Sequence, residues 1–370
     1  GSVGGYVLPD TAGAQANDAL IVAAVGPQAT INALAGGDVA LVQLGAATDA
    51  QGVSQALSLN AGRIEANNAW LVARHEAGQS GASGDIVLSA DSVISAVGVL
   101  SLLAGNNLSV AGRNGLAPGA LIQAGQRMNL RVDRDDRGTA GYGKASVADI
   151  NGRLLAPQIH VYGSQTGGNA ITFGSSAEIG GGLDGNGALT QGDQLDVTGG
   201  SGQDRITVRA LLIDQLQTTV RTLDGDDTVI FDATDLRGNL TVQTRQGDDA
   251  VSVLNTRIAG DLAVDAGEGD NTVLLETTAV GGDASVTTGA GGDQITLRDS
   301  GVTGSLTVNA GDGGNTVLLE TMSVGGYASV MTGAGADRIT LRDSGVTGAL
   351  TVDAGNGDNT ALLDAVTVGG

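Results

Sequence analysis

The chain has 370 residues, 62 of them glycine, with no cysteine and a formal net charge of −22. That balance argues against nucleic acid and anionic membrane surfaces as partners, and the missing cysteines exclude disulfides and thiolate-held zinc. Aromatic residues make up 2% of the chain, too little for the usual core of a globular domain this long, and no run of 18 apolar residues spans a membrane, so no membrane insertion is expected.

From the start, Gly1-Ser2 reads as a cloning remnant and the chain as an excised fragment of a longer protein. Residues 10–24 are alanine-rich and suit a short helix or a strand equally. Short alternating runs follow, such as Asp38-Val-Ala-Leu-Val-Gln-Leu44, Gly84-Asp-Ile-Val-Leu-Ser-Ala90 and Asn107-Leu-Ser-Val-Ala-Gly-Arg113. Alternation of period two, closed by Gly or Asn, is a strand signal. The intervals vary, which predicts strand-rich coils with loops inserted over residues 131–144 and 163–192. The first loop carries Asp133, Arg134, Asp135, Asp136 and Arg137, with His160 and Tyr162 about one coil later. That is the one grouping comparable to a polysaccharide-processing site, although a solvated loop explains it as well. His75, His160 and Trp70 are expected to be structural, Trp70 by packing.

From residue 194 the pattern becomes regular. Asn271-Thr-Val-Leu-Leu-Glu276 returns as Asn315-Thr-Val-Leu-Leu-Glu320, with Asp293-Gln-Ile-Thr-Leu-Arg298 halfway between, so the underlying period is 22 residues. Self-similarity at such a period marks a solenoid or related array. Columns appear on stacking: Val264, Val286, Val308; Val273, Ile295, Val317; Leu275, Leu297, Leu319; and Leu262, Ala284, Leu306, which alternates in size. The predicted fold is all-β, a right-handed parallel β-helix with about 22 residues per coil in the C-terminal half. Residues 1–193 form irregular coils and 194–370 regular ones, together making one continuous rod that is monomeric as a fragment. The position after the leucine column reads Glu276, Arg298, Glu320, Arg342, Asp364, a ladder of alternating charge that penalises a one-coil slip.

One turn per coil is rich in glycine and ends in Asp or Asn. The segment Thr288-Gly-Ala-Gly-Gly-Asp-Gln-Ile-Thr296 resembles the calcium-binding nonapeptide of repeats-in-toxin proteins, apart from its first residue. The resemblance implies possible calcium ligands at Asp226, Asp227, Asp248, Asp249, Asp293 and Asp337, with oxygens from adjacent turns around a hard cation. The array departs from that family, with one such turn per 22 residues and Asn at 271, 315 and 359. A glycine turn closed by a short polar side chain, needing no cofactor, is the competing expectation.

Runs such as Leu57-Ser-Leu-Asn-Ala-Gly62 and Leu100-Ser-Leu-Leu-Ala-Gly105 make the first half similar to the β-helical shaft of large bacterial exoproteins of the filamentous-haemagglutinin type. The second half resembles the Gly-Asp-rich arrays of giant repetitive surface proteins. The resemblance implies an extracellular or cell-surface location and a non-enzymatic, structural or adhesive role. Its expected partners are a host or neighbouring cell, a glycan, or the chain itself. The alternatives are a carbohydrate-binding or polysaccharide-degrading β-helix acting through residues 131–192, and a calcium-dependent module.

Overall fold

In the computed structural model the described residues are 30–43, 47–48, 54–55, 59–73, 84–113, 119–133 and 146–370. The alanine-rich stretch 10–24, His75, and residues 134–144 of the first expected loop lie outside them. Among the described residues there is no helix. The strands are short, and nearly all pair in parallel as a β-solenoid. The chain divides into two compact units, Gly1–Gly200 and Ser201–Gly370.

In the first unit one sheet is built from Val39–Gln43, Ala69–Ala73, Val99–Ala104, Arg127–Arg131, Gln158–Tyr162 and Gly192–Thr198. Alternate side chains point inward and stack in files: Leu100, Met128, Ile159, Leu195, and beside them Leu102, Leu130, Val161, Val197, all essentially inaccessible. A second sheet carries the file Ile86, Leu108, Ala148, Ile171, whose intervals of 22, 40 and 23 residues mark where extra chain is inserted. The expected loop 163–192 carries two strands of the parallel sheet between its turns. Asn169–Phe173 pairs with Ser146–Ile150, and Glu178–Gly180 pairs with Arg153–Leu155. Glycine clusters on both sides disguised that strand, but Ile171 and Phe173 are fully buried. What remains is a small hairpin, Gly182–Leu183 with Leu189–Thr190, whose turn is capped by Asp184 accepting the Asn186 and Ala188 N–H groups.

The second unit is built on a strict register. Leu262 stands opposite Ala284 and Ala284 opposite Leu306; Val273, Ile295 and Val317 follow the same spacing, as do Leu275, Leu297 and Leu319. All are 0–2% exposed, so the expected columns are the core. Alternating Leu and Ala keeps each layer filled without overpacking. Turn glycines take conformations closed to other residues. Gly313 has φ +121°, and a Cβ there would lie 1.8 Å from the Gly291 carbonyl of the preceding repeat.

The charge ladder resolves into discrete pairs. Arg298 reaches back to Glu276 at 2.9 Å, and Arg342 to Glu320 at 2.5 Å. Directly after this position the backbone turns left-handed at a non-glycine residue in every repeat: Ala233, Asn255, Thr277, Asp299, Thr321, Asp343 and Ala365, with φ from 49° to 53°. The following hydroxyls hold the corner. Thr278 Oγ1 donates to Val253 O at 2.9 Å, and Ser300 Oγ accepts the Thr278 N–H at 3.0 Å.

Candidate functional site

The residues suggested for calcium occupy two separate ladders. Asp227, Asp249, Asp293 and Asp337 face inward and are 1–2% exposed. Asp227 and Asp249 are neighbours in one chain of hydrogen bonds, and from Asp249 onward Asp alternates with Asn271 and Asn315. The Asp204 N–H donates to Asp227 Oδ1 at 2.7 Å and the Asp227 N–H to Asp249 Oδ1 at 2.8 Å. The Asn271 N–H donates to Asp293 Oδ1 and the Asn315 N–H to Asp337 Oδ1, both at 2.9 Å. Asp226 and Asp248 lie on the exposed side of the turn and likewise accept backbone N–H groups, from Asp248 and Asp270. The six carboxylates therefore do not converge. Among the described residues no three or more His, Cys, Asp or Glu side chains are grouped to hold a metal ion. Calcium asks for six to eight oxygens, so a site in these turns would need backbone carbonyls beside the carboxylates.

The inward ladder has two alternating turn types. At the Asn turns the side-chain amide closes its own loop: Asn271 Nδ2 donates to Gly267 O and Gly269 O, both at 3.0 Å. At the Asp turns the corresponding Oδ2 is buried without a hydrogen-bond partner, at Asp227, Asp249, Asp293 and Asp337. The residue five positions earlier follows the same alternation. It is Thr222, Thr244, Thr288 and Thr332 before Asp, but Ala266, Ala310 and Ala354 before Asn. This covariation was legible in the sequence and is the signal that separates the two turns. Burial pushes the Asp227 carboxyl up to about 7, tempered by the nearby Thr222 hydroxyl and the backbone of Asp204. Thr222 Oγ1 itself makes its hydrogen bond to Thr244 O at 3.4 Å. Burial raises Asp249 and Asp293 in the same direction. The cause is desolvation of the charged form, which outweighs hydrogen bonds from Thr244, Thr288 and the turn backbone, with Asp226, Asp248 and Asp270 adding like charge.

The first unit carries a different kind of surface. On the outer side of Arg127–Arg131, Gln158–Tyr162 and Gly192–Thr198, register aligns three rows: Arg127, Gln158, Gln194; Asn129, His160, Asp196; and Arg131, Tyr162, Thr198. The Arg131 guanidinium lies 4.8 Å from the centre of the Tyr162 ring, and the His160 ring is stacked 6.0 Å from Tyr162 at 13°. His160 Nδ1 is 3.3 Å from Asp196 Oδ2, without the alignment of a hydrogen bond, and Gln194 Nε2 donates to the same oxygen at 2.5 Å. Burial holds His160 below its ordinary value, and Asp196 only partly offsets that, so the ring is neutral at neutral pH.

Of the expected acidic loop, Asp133 is described and is structural: its buried Oδ2 accepts the Ser164 hydroxyl at 2.6 Å. Arg134, Asp135, Asp136 and Arg137 lie outside the described residues. The sequence reading named His160 and Tyr162; that Arg127, Arg131 and Asp196 share their face needed the register of three strands. Trp70 packs as expected, with Ala40, Val72 and Leu103, on the outer side of the same sheet. No family model, curated protein or solved structure matches this chain.

Proposed function

We propose that this chain is a structural, adhesive segment of a large secreted or surface-exposed bacterial protein. In this reading it is a right-handed solenoid of 22 residues per coil in its C-terminal half, which acts through the surface it displays rather than through catalysis. The supporting observation is the second unit's ladder. Backbone, core and turn side chains all repeat at one spacing, and the buried carboxylates are spent on holding neighbouring repeats together. Such an array extends a surface by adding repeats, each stabilised by its neighbours. Its acidic exterior keeps the surface soluble and disfavours nucleic acid. The test is adhesion: beads coated with the chain should attach to cell surfaces or cluster with one another more than beads coated with an acidic globular control. Equal behaviour of the two coatings would reject the role.

A further inference from the structure

Charge is spread unevenly over the second unit. Residues 201–370 hold 24 acids and nine arginines, with no lysine. One face departs from that balance: the outer side of the eight stacked strands from Arg205–Val208 to Thr360–Asp364. It carries five of the arginines, Arg205, Arg209, Arg298, Arg338 and Arg342, but only four of the acids, Asp232, Glu276, Glu320 and Asp364. Copies of the unit that approach by its other sides meet like charge, whereas this face is close to neutral. Its side chains also alternate from coil to coil. The middle file reads Leu274, Thr296, Leu318, Thr340, and the edge file Glu276, Arg298, Glu320, Arg342.

We infer that this face pairs two copies of the chain, antiparallel, about a two-fold axis that runs along the strands midway between Thr272–Glu276 and Gln294–Arg298. A two-fold interface must be complementary to itself, and this one is. The rotation sets Glu276 against Arg298, Asp232 against Arg342 and Arg209 against Asp364 of the second copy. The same rotation lays Leu274 on Thr296, Leu318 on Ser252 and Ile230 on Thr340, so each large side chain meets a small one. Glu320 falls opposite Leu254 and keeps the Arg342 of its own chain. Other arrangements pair like charges. An axis lying on Thr272–Glu276 puts Glu276 on Glu276 and Arg209 on Arg342, and a parallel arrangement puts Arg338 on Arg342. Charge therefore fixes orientation and register. The face measures about 34 Å along the stack and about 17 Å along the strands, at the low end for specific interfaces. One pair of copies binds weakly, and many copies displayed on two facing surfaces bind by avidity.

The inference names a second copy as partner for the adhesive surface proposed above and rests on that reading, and the two fail separately. Sedimentation of the unaltered full chain, from about 10 μM to 1 mM, should show a reversible dimer whose affinity falls at least about ten-fold between about 50 and 500 mM salt. The chain has no cysteine, so single-cysteine spin labels report position without ambiguity. In the antiparallel dimer labels at Gln294→Cys should lie within about 20 Å of each other and labels at Thr360→Cys more than about 30 Å apart. Leu274→Asp with Leu318→Asp should weaken pairing by at least about ten-fold, whereas Thr307→Asp with Thr351→Asp, on the outer side of the neighbouring sheet, should change it by less than about two-fold. A chain that stays monomeric at every concentration, equal label distances at the two positions, or equal weakening by the two pairs of substitutions would overturn the inference. Sedimentation of the unaltered chain and the label distances decide the matter even if an aspartate variant fails to fold. Coated beads that attach to cells although the soluble chain never dimerises would keep the adhesive role and remove this partner from it. A dimer in solution with beads that neither attach nor cluster would keep the pairing and reject the role.

Discussion

The two units solve the same problem, stacking short parallel strands around a narrow apolar interior, with different amounts of repetition. In the first unit each layer is individual: Met128 stacks between Leu100 and Ile159, and Phe173 fills a position that Ile150 holds one layer away. Intervals between partners vary, and the outer face changes chemistry within one strand spacing, from Leu103 to Arg131. In the second unit the ladders keep one spacing, and their alternation begins after Leu240–Leu262 and Asp227–Asp249. Aperiodic coils can concentrate distinct side chains at one place, whereas periodic coils spread the same side chains along a face. Distinct side chains therefore gather in the first unit, and identical ones spread along the second.

That contrast is sharpest if the second unit's true period is 44 residues. Deleting residues 282–303 brings Leu306 opposite Leu262 and Glu320 opposite Glu276. Deleting 282–325 instead brings Ala328 opposite Leu262 and Arg342 opposite Glu276. Leucine already stacks on leucine at Leu240 and Leu262, so the shorter deletion is felt where Glu320 meets Glu276, and amide exchange in Thr272–Glu276 should be faster than in the longer deletion. Equal exchange in the two deletions would mean the alternation is incidental.

The alternating turns also predict an unusual pH response. With its folded value raised to about 7, Asp227 keeps its proton in the folded chain under conditions where the unfolded chain has lost it. Its contribution is complete below about pH 4 and is lost as pH rises through about 7, the reverse of an ion-paired carboxylate. Denaturant midpoints should therefore fall from pH 5 to pH 8 more steeply in the unaltered chain than in Asp227→Asn. Parallel slopes would show that Asp227 is ionised in the fold.

The smallest effect expected concerns the left-handed corner. Thr277 and Thr321 are β-branched residues at φ 52° and 53°, where Asn255 occupies the equivalent position. Because asparagine tolerates this conformation better, Thr277→Asn and Thr321→Asn should each stabilise by about 0.5–1 kcal/mol, seen as a higher unfolding midpoint. A fall in midpoint would mean that the threonine side chains make a contact worth more than the strain.

The sequence by itself determined the period, the inward columns, the small-large alternation and the Asp/Asn file, because each is a one-dimensional pattern repeated until chance is excluded. It also held the Thr-with-Asp and Ala-with-Asn pairing, which the close fit of the turn explains. It misread 163–192, where glycine on both sides of Asn169–Phe173 outweighed five alternating residues. Only the tertiary structure decided which way each carboxylate faces, that ion pairs form in twos, and that the non-glycine corner is left-handed. It alone also aligned Arg131, Tyr162 and Thr198. That last alignment depends on register between segments 31 to 36 residues apart, where no local pattern says which side chains meet.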